Sequence, residues 1–183
     1  MDRITINGET FEVYLTEEVI QKRVSELGAQ ISEDYKAKVP IFICILNGAF
    51  MFMSDLLKNF CGECEVDFLK LSSYHEAKVS SGKVDLLKDI NADLNQRDII
   101  IVEDIIDSGL SAEFIISHLN KHNPASVKIA SLLLKPKSVK YNITVDYIGF
   151  NIPNNFVIGY GLDLVQKYRN LRAVYSMVEE ESK

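Results

Sequence analysis

Apolar residues along the chain form short continuous runs that alternate with stripes at helical spacing. Helical spacing extends from Ile20 to Tyr35, after a candidate N-cap at Thr16, and recurs over 50–60 and 114–119. Two continuous runs rich in β-branched residues, 41–46 and 99–102, predict buried strands, and 127–134 predicts a third long strand. Strands that alternate with helices predict an α/β fold with a central, mainly parallel sheet flanked by helices.

Shorter apolar segments predict the remaining strands. Asn7-Gly8 separates two β-rich runs within residues 3–13, which is the strongest short signal for a hairpin. Further short strands are expected at 65–72, 83–87, 145–150 and 156–158. Residues 73–82 are polar and small and predict a loop. No repeat or linker divides the chain, so a single domain over residues 1–183 is expected.

Composition and charge narrow the functional classes. The chain has 183 residues, 47% of them apolar, and a net charge of −6, which is typical of a globular protein. An acidic chain is a poor candidate for sequence-independent nucleic-acid binding, and no nucleic-acid partner is expected. No apolar run approaches membrane-spanning length, and the N-terminus has no secretory pattern. Three cysteines disfavour a disulfide framework, so we expect a cytoplasmic protein.

The segment IIIVEDIIDSGLS, residues 99–111, combines the features of a ligand site. A buried strand delivers Glu103 and Asp104 at its carboxyl end, where open α/β sheets bind ligands. The following loop, 107–111, is rich in small residues and opens a helix, so its backbone N–H groups and the helix dipole favour an anion. Acids suit hydroxyl groups or a cation, and the combination indicates a phosphorylated sugar.

Two other interpretations of this segment remain open on local grounds. The acids could be solvated groups beside an ordinary capped helix, with Asp107 as the N-cap. Alternatively, a strand-end aspartate could be the phosphoacceptor of a receiver domain.

Five motifs in order resemble the type I phosphoribosyltransferases, and the last of them resembles the hypoxanthine-guanine branch. VEDIIDSGLS resembles the signature for phosphoribosyl diphosphate, and the resemblance extends from about residue 40 to residue 177. The other four motifs are ILNGAFMFMSDL at 45–56, LSSYHEAKVSSGKVDLLKDI at 71–90, ASLLLKPKS at 130–138 and VDYIGFNIPNNFVIGYGLDLVQKYRNL at 145–171. The family fold implies a small hood region built from the N- and C-terminal segments.

The resemblance implies roles at the sugar and the base. Glu103 and Asp104 would contact the ribose hydroxyls, and Asp107 would be the general acid/base at purine N7. Lys135 would bind the 6-oxo group, Phe156 would stack on the purine, and Val157 would offer backbone groups. Residues implied to bind the 5-phosphate are Asp107, Ser108, Gly109, Leu110 and Ser111.

The resemblance also implies a diphosphate site with Mg²⁺ as cofactor. Asn47, Gly48 and Arg169 would bind pyrophosphate, and Asp163 would be the carboxylate on the magnesium side, with Glu103 and Asp104 as further candidate metal ligands. Ser73 and Tyr74 match a mobile loop that closes over the site. The substrates would be a 6-oxopurine and phosphoribosyl diphosphate, and the protein would be a homodimer or homotetramer.

Two residues depart from the family pattern. The first pyrophosphate loop often reads Leu-Lys-Gly, whereas this chain has Leu46-Asn47-Gly48. His75 follows Ser73-Tyr74 where glycine is common. The family often has a non-proline cis peptide in the first loop, which a sequence does not reveal.

The expected activity is salvage of hypoxanthine, and of guanine, as nucleoside monophosphates. A xanthine-preferring enzyme and a non-catalytic regulator that senses phosphoribosyl diphosphate remain as alternatives. The Cys61–Cys64 pair lacks further zinc ligands, and His118 and His122 are interpreted as a solvated helix face.

Overall fold

The computed structural model describes residues 3–72 and 85–178, and it confirms the α/β prediction. Ser73, Tyr74 and His75 lie outside the described residues. The helices are α1 (Glu17–Asp34), α2 (Phe50–Lys58) and α3 (Leu110–Asn120). The strands are β1 (Arg3–Ile6), β2 (Glu9–Leu15), β3 (Ile41–Leu46), β4 (Glu65–Ser72), β5 (Asp85–Lys88), β6 (Asp98–Ile106), β7 (Ser126–Leu134), β8 (Tyr147–Asn151), β9 (Val157–Ile158) and β10 (Val174–Met177).

The central sheet has six strands in the order β5-β4-β3-β6-β7-β8. All neighbours run parallel except β5, which pairs antiparallel with β4 at one edge. Side chains alternate between the two faces of β3, so Phe42 and Cys44 pack with α1 and α2, while Ile41 and Ile43 pack with α3. Helices on both faces explain why this strand is apolar at every position.

A second sheet of four strands, in the order β1-β2-β10-β9, forms the expected hood from N- and C-terminal segments. The predicted hairpin is confirmed, since Asn7 and Gly8 both have positive φ angles, of 52° and 89°. β10 was not predicted from the sequence. It pairs antiparallel with β2 and with β9, and so ties the two ends of the chain together.

Element boundaries differ from the sequence prediction at the candidate site. β6 continues beyond the apolar run to Ile106, because Ile105 and Ile106 pair with Leu133 and Leu134 of β7. Thr16 caps α1 as predicted, with its Oγ1 accepting a hydrogen bond from the Val19 N–H. Within residues 3–72 and 85–178, none of the helices is long and apolar enough to cross a membrane.

Candidate functional site

Two acids at the carboxyl end of β6 form the floor of the candidate site. Glu103 is buried, and Asp104, on the opposite face of the strand, is partly exposed. Burial raises the pKa of Glu103 well above its ordinary value, and the charge of Asp104 adds to this rise. Burial also raises the pKa of Asp104, to about 6, although the nearby Arg169 guanidinium acts in the opposite direction. The site therefore concentrates negative charge that is poorly solvated.

The loop after β3 packs against the Asp104 carboxylate. A Cβ atom on Gly48 would overlap the Asp104 carboxylate, so a larger residue here would force that side chain to move. The peptide between Leu46 and Asn47 is cis. Asn47 is exposed, and α2 begins directly after this loop at Phe50. The loop thus brings backbone groups to the carboxyl end of the central sheet.

The loop between β6 and α3 has the geometry of an anion cradle. Gly109 adopts a left-handed conformation, with φ of 88°, and serves as the N-cap of α3. It has no side chain with which to cap the helix, and the Leu110 N–H donates to Ser108 Oγ at 3.3 Å. The first-turn amides and the positive end of the helix dipole therefore follow the carboxyl end of β6 after a loop of three residues.

Lys135 and Asp107 form an ion pair across the site. Lys135 follows β7 and is buried, and its Nζ donates to Asp107 Oδ2 at 2.9 Å. The Lys135 N–H also donates to the Ile106 carbonyl, which aligns the two segments. Asp107 is half exposed and lies two residues before the N-cap of α3, so the interpretation of Asp107 as that cap is wrong.

The other two predicted base-binding residues, Phe156 and Val157, lie at the hood. Phe156 is 44% exposed, with its ring edge against Phe11 at a centroid distance of 6.3 Å. This exposure shows that Phe156 is not a core residue and leaves much of the ring free for stacking. Val157 is buried in β9, and the Phe156 carbonyl accepts a hydrogen bond from Met177.

Asp163 and Arg169 pair with each other next to Asp104. The Arg169 guanidinium lies 2.7 Å from Asp163 Oδ1 and donates to the Gly161 carbonyl at 2.8 Å. Both charges influence the pKa of Asp104, Arg169 lowering it and Asp163 raising it, so the three groups share one electrostatic environment. A Cβ on Gly161 would overlap the Gly48 carbonyl, which joins this segment to the loop after β3.

Comparison with known proteins decides the family. The phosphoribosyl transferase domain family matches residues 12–164. This chain belongs to the phosphoribosyltransferase family. It is 44% identical to the hypoxanthine-guanine phosphoribosyltransferase of Bacillus subtilis, over 87% of this chain and 89% of that protein. The Mycobacterium bovis protein of the same name is 41% identical over 90% of this chain and 84% of its own length.

Solved structures agree with the sequence relatives. The hypoxanthine-guanine phosphoribosyltransferase of Bacillus anthracis, crystallised with HEPES in the active site, superposes with a TM-score of 0.87. It is 40% identical, and the match covers 91% of this chain and 98% of that one. The fold of this phosphoribosyltransferase therefore has close counterparts among solved structures.

The donor set of the site fits a magnesium ion that is carried largely by its substrate. Among the described residues, no group of three or more histidine, cysteine or acidic side chains converges as a metal site. Carboxylate oxygens are nevertheless at hand in Glu103, Asp104 and Asp163. Mg²⁺ typically binds one or two carboxylates together with substrate phosphates and water, and this arrangement meets that requirement.

The cysteine pair and the helix histidine His118 lie outside the candidate site. Cys61 and Cys64 are free thiols. His118 is not a solvated side chain, because it is 16% exposed and pairs with Asp89 at 2.9 Å. Gly161, in the sequence GYG at 159–161, packs against the Gly48 carbonyl of the loop after β3.

Proposed function

We propose that this chain transfers the 5-phosphoribosyl group of phosphoribosyl diphosphate to hypoxanthine, and to guanine, releasing pyrophosphate. The observation that carries this proposal is the Lys135–Asp107 pair beside the 107–111 loop. A 6-oxopurine satisfies both side chains at once, with its carbonyl oxygen toward the ammonium and its N7–H toward the carboxylate. Adenine would instead present an amine donor to the ammonium. The names of the relatives support the same substrates.

The sugar end of the substrate fits the remaining groups. In the proposed complex, first-turn amides of α3 and the hydroxyls of Ser108 and Ser111 bind the 5-phosphate. Glu103 and Asp104 accept hydrogen bonds from the ribose hydroxyls. Their negative charge also stabilises the positive charge that develops on the sugar when the bond from C1 to the diphosphate oxygen breaks.

The base end completes the reaction. Purine N9 forms the new bond to C1 while the N7 proton passes to Asp107. Phe156 stacks on the purine plane, and backbone groups at Val157 meet its edge. Because Lys135 binds the oxygen in the same complex, it also fixes the orientation in which N9 faces the sugar.

The leaving group is proposed to lie between two segments. Backbone groups of Asn47 and Gly48 bind the diphosphate from one side, and Arg169 binds it from the other, exchanging part of its contact with Asp163. Asp163, Glu103 and Asp104 are the candidate ligands of Mg²⁺, which when bound neutralises diphosphate charge. Ser73 and Tyr74, which lie outside the described residues, are proposed to belong to a loop that closes over this region.

We also propose a cytoplasmic homodimer or homotetramer, on the strength of the family resemblance. Light scattering during gel filtration measures the assembly state directly, and a monomeric mass would contradict this proposal.

The deciding experiment measures steady-state kinetics with hypoxanthine, guanine, xanthine and adenine at saturating phosphoribosyl diphosphate and Mg²⁺. We expect hypoxanthine and guanine to exceed adenine in kcat/KM by at least about 100-fold, because a donor facing a donor is rejected strongly. A higher kcat/KM for xanthine than for hypoxanthine would support the xanthine-preferring alternative. Tight binding of phosphoribosyl diphosphate without turnover of any base would support the regulatory one.

Replacing Lys135 with alanine is expected to raise the KM for hypoxanthine by about 10–100-fold, since a charge-assisted hydrogen bond contributes about 1.5–3 kcal/mol. The KM for phosphoribosyl diphosphate should change by much less. Lys137→Ala, two residues away and exposed, is the matched control. A rise confined to the KM for the sugar substrate would contradict the assignment of Lys135.

Replacing Asn47 with lysine tests the departure in the first pyrophosphate loop. Asn47 is exposed, so a restored charge should tighten pyrophosphate binding only modestly, by about 1 kcal/mol or roughly fivefold. The gain should shrink as salt rises, because ions screen an exposed charge. Asn47→Met controls for side-chain length without charge. Equal pyrophosphate inhibition of the lysine and wild-type proteins at low and high salt would show that this position acts through its backbone alone.

A further inference from the structure

A cluster of hydrogen bonds outside the candidate site joins three separate elements. Asp55 of α2 accepts from Gln21 of α1 at 2.6 Å and from the Tyr160 hydroxyl at 2.7 Å, both at Oδ2. Its other oxygen accepts from Lys58 at 2.9 Å. We call Gln21, Asp55 and Tyr160 the Asp55 cluster. It lies at a cleft of about 460 Å³, across which Arg172 pairs with Glu17.

Tyr160 is held in place by both its side chain and its backbone. The residue is 1% exposed and has a φ of 49°, between two glycines that also adopt positive φ angles. Its N–H donates to the Leu171 carbonyl at 2.8 Å, and the next N–H, of Gly161, donates to the Arg169 carbonyl at 2.9 Å. A buried side chain therefore fixes a turn whose conformation non-glycine residues rarely adopt.

The turn meets the first pyrophosphate loop through its backbone. Gly161 packs so closely on the Gly48 carbonyl that a Cβ atom has no room. The Gly161 carbonyl also accepts a hydrogen bond from the Arg169 guanidinium. Gly48 leads into α2, which carries Asp55. The contacts close a ring from Gly48 along α2 to Asp55, across to Tyr160, and back through Gly161 to Gly48.

Asp55 is well suited to hold this ring. Its carboxylate is 18% exposed, and although burial acts to raise its pKa, hydrogen bonds from Gln21, Tyr160 and Lys58 lower the pKa below the ordinary value. Asp55 is thus ionised at neutral pH and accepts strong, charge-assisted hydrogen bonds.

We infer that Asp55 and Tyr160 are positioning residues that hold the two proposed pyrophosphate-binding segments, the 46–49 loop and the 159–169 segment, against each other. This inference rests on the proposed function for the identity of the ligand. Neither side chain needs to touch the substrate. Small displacements of a binding group reduce affinity and rate strongly, so loss of the Tyr160–Asp55 hydrogen bond should weaken diphosphate binding selectively.

The test compares Tyr160→Phe, Asp55→Ala and Asp55→Asn with wild type. We expect Tyr160→Phe and Asp55→Ala to raise the KM for phosphoribosyl diphosphate and the Kd for pyrophosphate by about 10–20-fold, near the lower end of the range for a charge-assisted hydrogen bond. The KM for hypoxanthine should stay within about twofold, as the ring does not include the base-binding residues. Asp55→Asn keeps an acceptor for the Tyr160 hydroxyl and should recover most of the affinity.

Two further measurements sharpen the result. The double variant Tyr160→Phe/Asp55→Ala should lose no more affinity than the stronger single variant, because both remove the same hydrogen bond. Arg172→Ala, which breaks an exposed ion pair across the same cleft, is the control and should leave pyrophosphate affinity unchanged.

Pyrophosphate binding by calorimetry separates this inference from the proposed function, because it requires no turnover. A wild type that turns over no purine but binds pyrophosphate, and loses affinity in Tyr160→Phe, would support the positioning role while the proposed function fails. The inference is overturned if the variants lower only the Tm and bind pyrophosphate normally. Equal rises in the KM values of both substrates, or a wild type that binds no pyrophosphate, would overturn it as well.

Discussion

Replacing Asp107 with asparagine is expected to lower kcat by about 10²–10⁴-fold, the usual contribution of a general acid/base. The Lys135–Asp107 geometry allows this substitution to remove proton transfer while keeping the hydrogen bond from Lys135. Asparagine retains an oxygen that can accept from Lys135 at the position now 2.9 Å away, but it cannot take the proton from purine N7. The KM for phosphoribosyl diphosphate should therefore change little.

The measurement is a single-turnover rate with hypoxanthine, because product release can hide a chemical defect in steady-state kcat. Glu113→Gln is the matched control, since Glu113 is an exposed acid in the first turn of α3 and its loss changes the same local charge. An unchanged single-turnover rate in Asp107→Asn would remove Asp107 from the proton-transfer step.

The architecture was predictable because its signals are local. A continuous apolar run identified β3, and Asn7-Gly8 identified the hairpin. The sequence pattern did not predict β10, because this strand has only four residues, VYSM. It is stabilised by pairing with β2 and β9, which are distant in sequence. β6 was predicted too short for a related reason. Its polar end is held by backbone pairing with β7 rather than by an apolar pattern.

The residues of the candidate site were also predictable from local signals, whereas the contacts between them were not. A strand end followed by a small-residue loop marked Glu103, Asp104 and the 107–111 segment without knowledge of any family. The contacts between segments were not accessible, because Lys135 and Asp107 are 28 residues apart and no periodicity links them. The close approach of Gly48 to Asp104 and of Gly161 to Gly48 likewise depends on how the hood meets the sheet.

The acids of β6 should make the unliganded protein less stable at neutral pH than an uncharged variant. A carboxyl group whose pKa is higher in the folded than in the unfolded state binds more protons when folded. For Asp104, with a pKa of about 6 against an ordinary 3.8, the free energy of unfolding therefore decreases as pH rises from about 4 through 6. The full penalty is present above that range, where the carboxylate is ionised beside Glu103.

Replacing Asp104 with asparagine should consequently have opposite effects on stability and activity. At pH 8 the Tm without ligands should rise by about 3–8 °C, since the pKa difference corresponds to at most about 3 kcal/mol and Asp104 is partly exposed. At pH 5 the gain should fall to about half, because the carboxyl of the unfolded chain, with its ordinary pKa of 3.8, is still ionised there, and it should nearly vanish only below about pH 4. The kcat/KM for phosphoribosyl diphosphate should fall by about 10–100-fold, because a charge-assisted contact to the ribose is lost.

Thermal unfolding of wild type and Asp104→Asn between pH 5 and 8 measures the stability effect, and Glu63→Gln, an exposed acid, serves as the control for net charge. Saturating phosphoribosyl diphosphate and Mg²⁺ should stabilise the wild type more than the variant, since only the wild type presents the ionised acid to its ligands. A Tm gain of the same size at pH 5 and pH 8 would show that packing, rather than the buried charge, separates the two proteins. A variant less stable than wild type at pH 8 would show that Asp104 stabilises the folded protein without ligands. It would contradict the expectation that the ionised Asp104 lowers the free energy of unfolding.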